Sequence, residues 1–398
     1  MQDFLDQEKI TSVVEFRCGE VEKCLAGLRY LGIDSDPEMI SKNRKKFPHL
    51  EFEIGNEIKL IEKYDCVVLK NIKISYELLI ELNKFVKYIV TDVNLMEDPF
   101  NFPRPYYIFP EPIMVWKTEQ LLSLDWMTVP ENPTVLITIL ARNKAHVLPD
   151  FLKCIVAQDY PKDRISIYIR TNDNRDETKE VLTDWVVKHK EEYMNIEMDG
   201  EDFDESSSPS FKPHEWNSSR FIRLGKIREV SMKKALDRDL DYYFVVDCDN
   251  FIKSFTLSHL IKLRRPIVAP MLWSFPKEKD FYSNYFAACD DNGFYQNHDL
   301  YYDILYRRKI DTFNVPVVHC TYLIDSRYIP LLRYLDGSGT YEFVVFSRRA
   351  RLARINQYIT NEKEFGLLLH PPDDVTLEEE KCLFDEYKEK CFPFFTKY

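Results

Sequence analysis

The chain has 398 residues, 45% apolar and 30% charged, with 54 Lys and Arg against 66 Asp and Glu and a net charge of −12. This length predicts two or three domains with a sizeable core, and the acidic balance argues against sequence-blind nucleic-acid binding. No run approaches the ~18 uncharged apolar residues of a membrane span, and the opening MQDFLDQEKI lacks the basic region and apolar stretch of a secretory leader, which predicts a cytoplasmic setting (a host's, should the source be viral).

In chain order, the first block alternates strands and helices. Strands are predicted at 13–16, 31–34, 52–54, 64–69 and 88–93, with helices at 37–46, where Pro37 suits the first turn, and 75–85. Such alternation predicts a parallel sheet over a first domain of residues 1–98. Prolines 99, 103, 105, 110 and 112 are incompatible with a regular helix or a central strand. Residues 99–130 are therefore predicted to form a linker.

The second block opens with the apolar run from Pro133 to Leu140, of buried-strand length. A helix at 148–158, a strand at 165–169 and a helix at 176–191 follow. An acidic loop at 199–214, a helix at 218–238 and a strand at 242–246 come next. The tail, 372–398, reads as a charged helix that docks on the body or on a partner, and a second copy of the chain is one candidate partner.

Nine cysteines without a C-x-x-C pair predict reduced thiols rather than a zinc cage or disulfide framework. Glycine is scarce, at 10 residues, so a nucleotide site built on a Gly-rich loop is not expected. Ligands of open α/β sheets bind beyond the carboxyl ends of strands. Three such ends in the second block are polar: Arg142 and Asn143; Asn172, Asp173 and Asn174; Asp247 and Asp249. The last is a D-x-D behind five apolar or aromatic residues. Its oxygens suit Mn²⁺ or Mg²⁺, and such a cation can bridge a nucleotide's phosphates and neutralise a departing diphosphate. A solvated turn is the bland alternative for the triplet.

Residues 133–370 resemble the procollagen galactosyltransferase family, hydroxylysine glycosyltransferases that use UDP-sugars. The stretches that carry the resemblance include LARNKAHVLPDFL (140–152), TNDNRDETKEVLTDW (171–185), HEWNSSRF (214–221), YYFVVDCDN (242–250), VPVVHCTYLID (315–325) and NEKEFGLLL (361–369), in the family's order. The resemblance implies a glycosyltransferase-A fold over 131–371, a UDP-hexose donor, Mn²⁺ or another divalent cation, and a collagen-like polypeptide acceptor. It places Asp247 and Asp249 on the metal, with His370 as a third ligand and His319 as its competitor. Arg142, Asn143, Asn172 and Asp173 fall on the nucleotide side, and Lys226 and Arg228 match a K-x-R that balances diphosphate charge. The family's adjacent acids, in WSFDDIIVF, align with Gly339 to Phe346, where Glu342 survives and Tyr341 replaces its neighbour. Glu342 is thus the catalytic candidate at the acceptor, a strand-edge acid being its bland alternative. The altered pair motivates a second reading, an accessory or acceptor-binding module without turnover.

Block one carries VVEFRCGE, LGIDSDPEMI, FEIGN and YDCVVLKN and resembles class I S-adenosylmethionine methyltransferases. Asp34 stands where the ribose acid would sit. Glu20, Val21 and Glu22 follow Gly19, where close backbone approach to a cofactor needs small residues. The resemblance therefore implies a degenerate Rossmann-like domain that supports folding, dimerisation or acceptor binding.

Overall fold

In a computed structural model the chain divides into two compact units, Met1–Val129 and Pro130–Tyr398. The structure describes residues 5–6, 8–19, 27–56, 58, 60, 62–70, 72, 78, 81–82, 84–92, 107–108, 113–117, 130–202, 216–275, 282–353, 355–372 and 375–390. Most of the Pro-rich stretch, part of the predicted 75–85 helix, Glu20 to Glu22, most of the acidic loop and the last eight residues lie outside them.

The first unit is one sheet. Its strands are β1 (Ser12–Phe16), β2 (Arg29–Asp34), β3 (Glu51–Ile54), β4 (Tyr64–Leu69), β5 (Val86–Asp92), β6 (Tyr107–Ile108) and β7 (Ile113–Lys117), in the order β3-β2-β1-β4-β5-β7-β6. The first five are mutually parallel, and β7 runs antiparallel to β5 and β6. Strands β6 and β7 fall where a linker is predicted. The proline argument holds only against central strands: β6, flanked by prolines, sits at the sheet edge, where a missing N–H breaks no ladder. Helix α1 (Pro37–Lys46) starts where expected, because the Asp36 carboxylate caps the Glu38 and Met39 amides. The Asp34 carboxylate accepts from the Gly19 and Asp36 amides, which spends it on the local backbone.

The second unit is built on the strands β8 (Val135–Ala141), β9 (Ile165–Thr171), β10 (Asn195–Asp199), β11 (Tyr242–Val246), β12 (Asn250–Ile252), β13 (Ile267–Pro270), β14 (Trp273–Phe275), β15 (Tyr285–Phe286), β16 (Thr312–Val315), β17 (Val317–Val318), β18 (Thr321–Asp325), β19 (Gln357–Thr360) and β20 (Gly366–Leu369). The main sheet runs β10-β9-β8-β11-β18-β13-β19-β16. Strands β8 to β11 are parallel, so their carboxyl ends lie along one edge, and β18 joins antiparallel to β11. A small sheet, β12-β20-β14, and the pair β15-β17 stand beside it. Helices α2 (Leu148–Val156), α3 (Thr178–His189), α4 (Ser218–Asp237), α5 (Thr256–Lys262), α6 (Asp299–Leu305), α7 (Glu342–Leu352) and α8 (Leu377–Lys390) complete the unit.

The core explains why these runs pair. Val135, Ile137 and Ile139 of β8, Ile167 of β9 and Phe244 and Val246 of β11 form one cluster with Phe151 of α2. The tail helix docks on this body: Phe384 and Tyr387 belong to the same cluster, and Phe384 stacks on Phe251 with ring centres 5.6 Å apart. Among the described residues no helix is long and apolar enough to cross a membrane.

Candidate active site

The strand ends of β8, β9 and β11 open into a cavity of about 860 Å³ within the second unit. Left-handed backbone at non-glycine residues turns the chain there: Asn143 after β8 (φ 55°), Asp173 after β9 (φ 48°) and Cys320 before β18 (φ 63°). Such sparsely populated conformations cluster at functional sites.

Asp247 and Asp249 leave β11 in a tight turn, with the Asn250 amide donating to the Asp247 carbonyl at 2.9 Å. Neighbours on both sides fix that turn. The Asp247 amide donates to the Cys320 carbonyl (3.0 Å) and the Leu369 amide to the Asp249 carbonyl (2.9 Å), while the Asn250 side chain donates to Thr321 Oγ1 at 2.7 Å. Both carboxylates line the cavity.

Each of these carboxylates faces a cation. Arg228 Nη2 donates to Asp247 Oδ1 at 2.9 Å, and its Nε lies 3.5 Å from Glu342 Oε1. Lys144 Nζ lies 3.4 Å from Asp249 Oδ2. Burial pushes the Asp247 carboxyl above its ordinary range and Asp249 adds to the rise, against the pull of Arg228. Burial raises Glu342 likewise, again opposed by Arg228. For Lys144, burial disfavours the charge but the Asp249 and Glu380 carboxylates outweigh it and hold the ammonium.

Glu342 is no strand-edge acid. It is the first residue of α7 and nearly fully buried, and a carboxylate suits a helix N-terminus. Tyr341, in the place of the family's other acid, packs its ring 4.1 Å from that of Phe221.

The cavity gathers Arg142, Asn172, Arg228, Asp247, Asp249, Glu342, His319 and His370. Three sequence candidates do not line it. Asn143 stitches loops together, its amide donating to Asn174 Oδ1 and its Oδ1 accepting from the Arg175 amide. Asp173 accepts from Asn172 Nδ2 and Arg223 Nη1. Lys226 is exposed on α4: residues two apart on a helix point to nearly opposite sides, so a K-x-R cannot aim both at one ligand.

The same periodicity adds to Arg228 two arginines that the sequence reading missed, Arg220 and Arg223. Arg220, Arg223 and Arg228 recur at i, i+3 and i+8 on one α4 face and all line the cavity, as do Lys144 and Arg170. An acidic protein thereby presents a cationic wall opposite two carboxylates. The remaining wall is aromatic: Tyr282, Phe286, Tyr295, Tyr301, Tyr302 and Phe343 line it, with Trp216 at its edge.

Of the two histidines, His370 stacks on Tyr282 with ring centres 4.0 Å apart. His319 is buried near the rings of Tyr282, Phe286 and Phe343. Burial, with help from His370 and Arg228, drives its pKa down to about 3. Its ring is therefore neutral at physiological pH, and its Nε2 finds no hydrogen-bond partner among the described residues. The donor chemistry fits a divalent cation: two hard carboxylates and a neutral imidazole share one cavity. Among the described residues no three His, Cys, Asp or Glu side chains already converge on a single metal position.

Residues 132–387 match the model of the N-terminal domain of glycosyltransferase family 25. The chain belongs to glycosyltransferase family 25. It is 35% identical over 252 residues to procollagen galactosyltransferase 2 of Homo sapiens, covering 61% of this chain and 39% of that protein. It is 32% identical over 260 residues to the glycosyltransferase 25 family member of Drosophila melanogaster, covering 61% and 42%. The chain thus spans about two fifths of the length of the curated relatives it matches. Among solved structures it is similar to S. aureus TarS 1-349 in complex with UDP-GlcNAc at a TM-score of 0.40 and 12% identity, over 62% of this chain and 60% of that one, a likeness too distant to carry an argument. The mixed α/β sheet of the second unit, with β8 to β11 parallel and β18 antiparallel to β11, agrees with the α/β architecture expected of the second block. Neither the family match nor these relatives reach the methyltransferase-like reading of the first unit.

Proposed function

We propose that the second unit transfers a hexose, galactose by the names of its relatives, from a UDP-sugar to hydroxylysine of a collagen-like polypeptide. The observation that carries this is the placing of Asp247 and Asp249 in one cavity with Arg142, Arg220, Arg223 and Arg228. That combination suits a nucleoside diphosphate, whose charge is met by a carboxylate-held cation and by arginine donors.

Asp247 and Asp249 would hold a divalent cation, which supplies neutralisation of the diphosphate as it leaves. Arginines of α4 present fork-shaped donors to phosphate oxygens. In the transfer, the bond from the anomeric carbon to the β-phosphate oxygen breaks and a bond to the acceptor oxygen forms. Glu342 would take the hydroxyl proton or pair with the acceptor's amine. The aromatic wall gives the sugar and an extended, proline-rich acceptor flat apolar faces.

One observation favours a second reading, an accessory module without turnover: the site that aligns with two acids holds Glu342 and Tyr341, and Arg228 already engages Glu342. A single assay separates the two. The chain is incubated with Mn²⁺, a collagen-like peptide containing hydroxylysine, and UDP-galactose, UDP-glucose or UDP-GlcNAc, and the peptide is weighed by mass spectrometry. A hexose added from UDP-galactose is the expected result. No addition from any donor by folded protein leaves the accessory reading.

A further inference from the structure

The tail helix touches the site through Lys144. Its start is set by a capping box: the Thr376 hydroxyl accepts from the Glu379 amide at 3.2 Å, and Glu379 Oε2 accepts from the Thr376 amide at 2.7 Å. Glu380 follows on the helix face that carries Phe384 and Tyr387, four and seven residues on, and it is only 1% exposed. Its Oε1 accepts from Lys144 Nζ at 2.5 Å and lies 3.3 Å from His146 Nε2. Lys144 Nζ in turn lies 3.4 Å from Asp249 Oδ2. One ammonium is therefore shared between the tail helix and the strand-end pair, and the shorter contact goes to Glu380.

We propose that Glu380 is a positioning residue that anchors Lys144 and so keeps the Asp249 carboxylate available to a divalent cation. This rests on the metal-assisted reading above. An ammonium and a divalent cation compete for the same carboxylate oxygens. Held by Glu380, Lys144 lends positive charge to the site without closing on Asp249. Released, it has Asp249 as its ion-pair partner among the described residues, and a cation must displace it. Partners bonded directly to a metal's ligands commonly change its affinity 10–100-fold when removed; Glu380 acts through Lys144, so the low end is expected.

The test is Mn²⁺ binding to the full chain by calorimetry, without sugar nucleotide. Glu380→Gln is expected to weaken binding roughly tenfold. Adding Lys144→Met to Glu380→Gln is expected to restore most of it, because the two residues are coupled. Unchanged affinity in Glu380→Gln overturns the proposal. So does a loss that persists in the double variant, which marks a bulk-charge or packing effect instead. Absence of Mn²⁺ binding by the wild type overturns the metal-assisted reading and this proposal with it. Should Glu380→Gln fail to fold, Lys144→Met alone decides: binding at least as tight as wild type supports the proposal, and weaker binding overturns it.

Discussion

Arg228→Met is expected to destabilise the second unit by about 3–5 kcal/mol, the usual cost of stripping the partner from buried charges. Arg228 is 6% exposed and is the cation between Asp247 and Glu342. Methionine keeps most of the volume and removes the charge, so packing contributes little to the loss. The deficit has a direction with pH. Burial already raises both carboxyls in the folded protein, and without the guanidinium they rise further. A carboxyl whose folded pKa exceeds its unfolded value of about 4 binds its proton more tightly when folded. Its contribution is fully present below the unfolded pKa and is lost as pH rises through the folded one. Urea unfolding of wild type and variant at about pH 5 and about pH 7.5 should therefore show the larger gap at the higher pH. Equal gaps would contradict the pairing.

Gly366→Ala is the second large effect. Gly366 opens β20 at φ +157°, and a Cβ there would sit 2.1 Å from the Phe251 carbonyl oxygen and 3.0 Å from Ile252 Cα. Both are backbone atoms of β12, the strand that β20 pairs with, so nothing flexible can yield. Overpacking of this kind costs about 3 kcal/mol, a fall of roughly 6–12 °C in the melting temperature of a domain this size. The site suffers too, because β20 supplies the Leu369 amide that holds the Asp249 carbonyl. Gly337→Ala is the control: its φ is +83°, but nothing lies within 4 Å of the added Cβ, and the expected cost is about 1–2 kcal/mol from backbone strain alone. Melting curves of the two variants that coincide would contradict the steric argument.

Much of this was legible from local pattern. The apolar runs behind Arg142, Asn172 and Asp247 are buried parallel strands because their side chains have no polar face to present, and the strand-end rule then put Asp247 and Asp249 at the cavity. The resemblance reaches Arg228 but pairs it with Lys226, which a helix turns some 200° away. Asn143 and Asp173 were placed in the right loops, yet a motif does not say whether a polar side chain faces a ligand or its own backbone. The linker expectation misses β6 and β7 because proline spares the sheet edge, where β6 lies, and β7, paired on both sides, contains no proline. Glu380 was out of reach. It lies 236 residues from Lys144, and only the docking of α8 through Phe384 and Tyr387 brings the two together.

The most direct measurement is UDP binding with and without Mn²⁺, in the wild type and in Asp247→Asn/Asp249→Asn. Two carboxylates that seat a cation for the diphosphate require tight, Mn²⁺-dependent binding in the wild type and loss of that dependence in the double variant. UDP affinity that ignores Mn²⁺ in the wild type, or Mn²⁺ dependence that survives both substitutions, would contradict it.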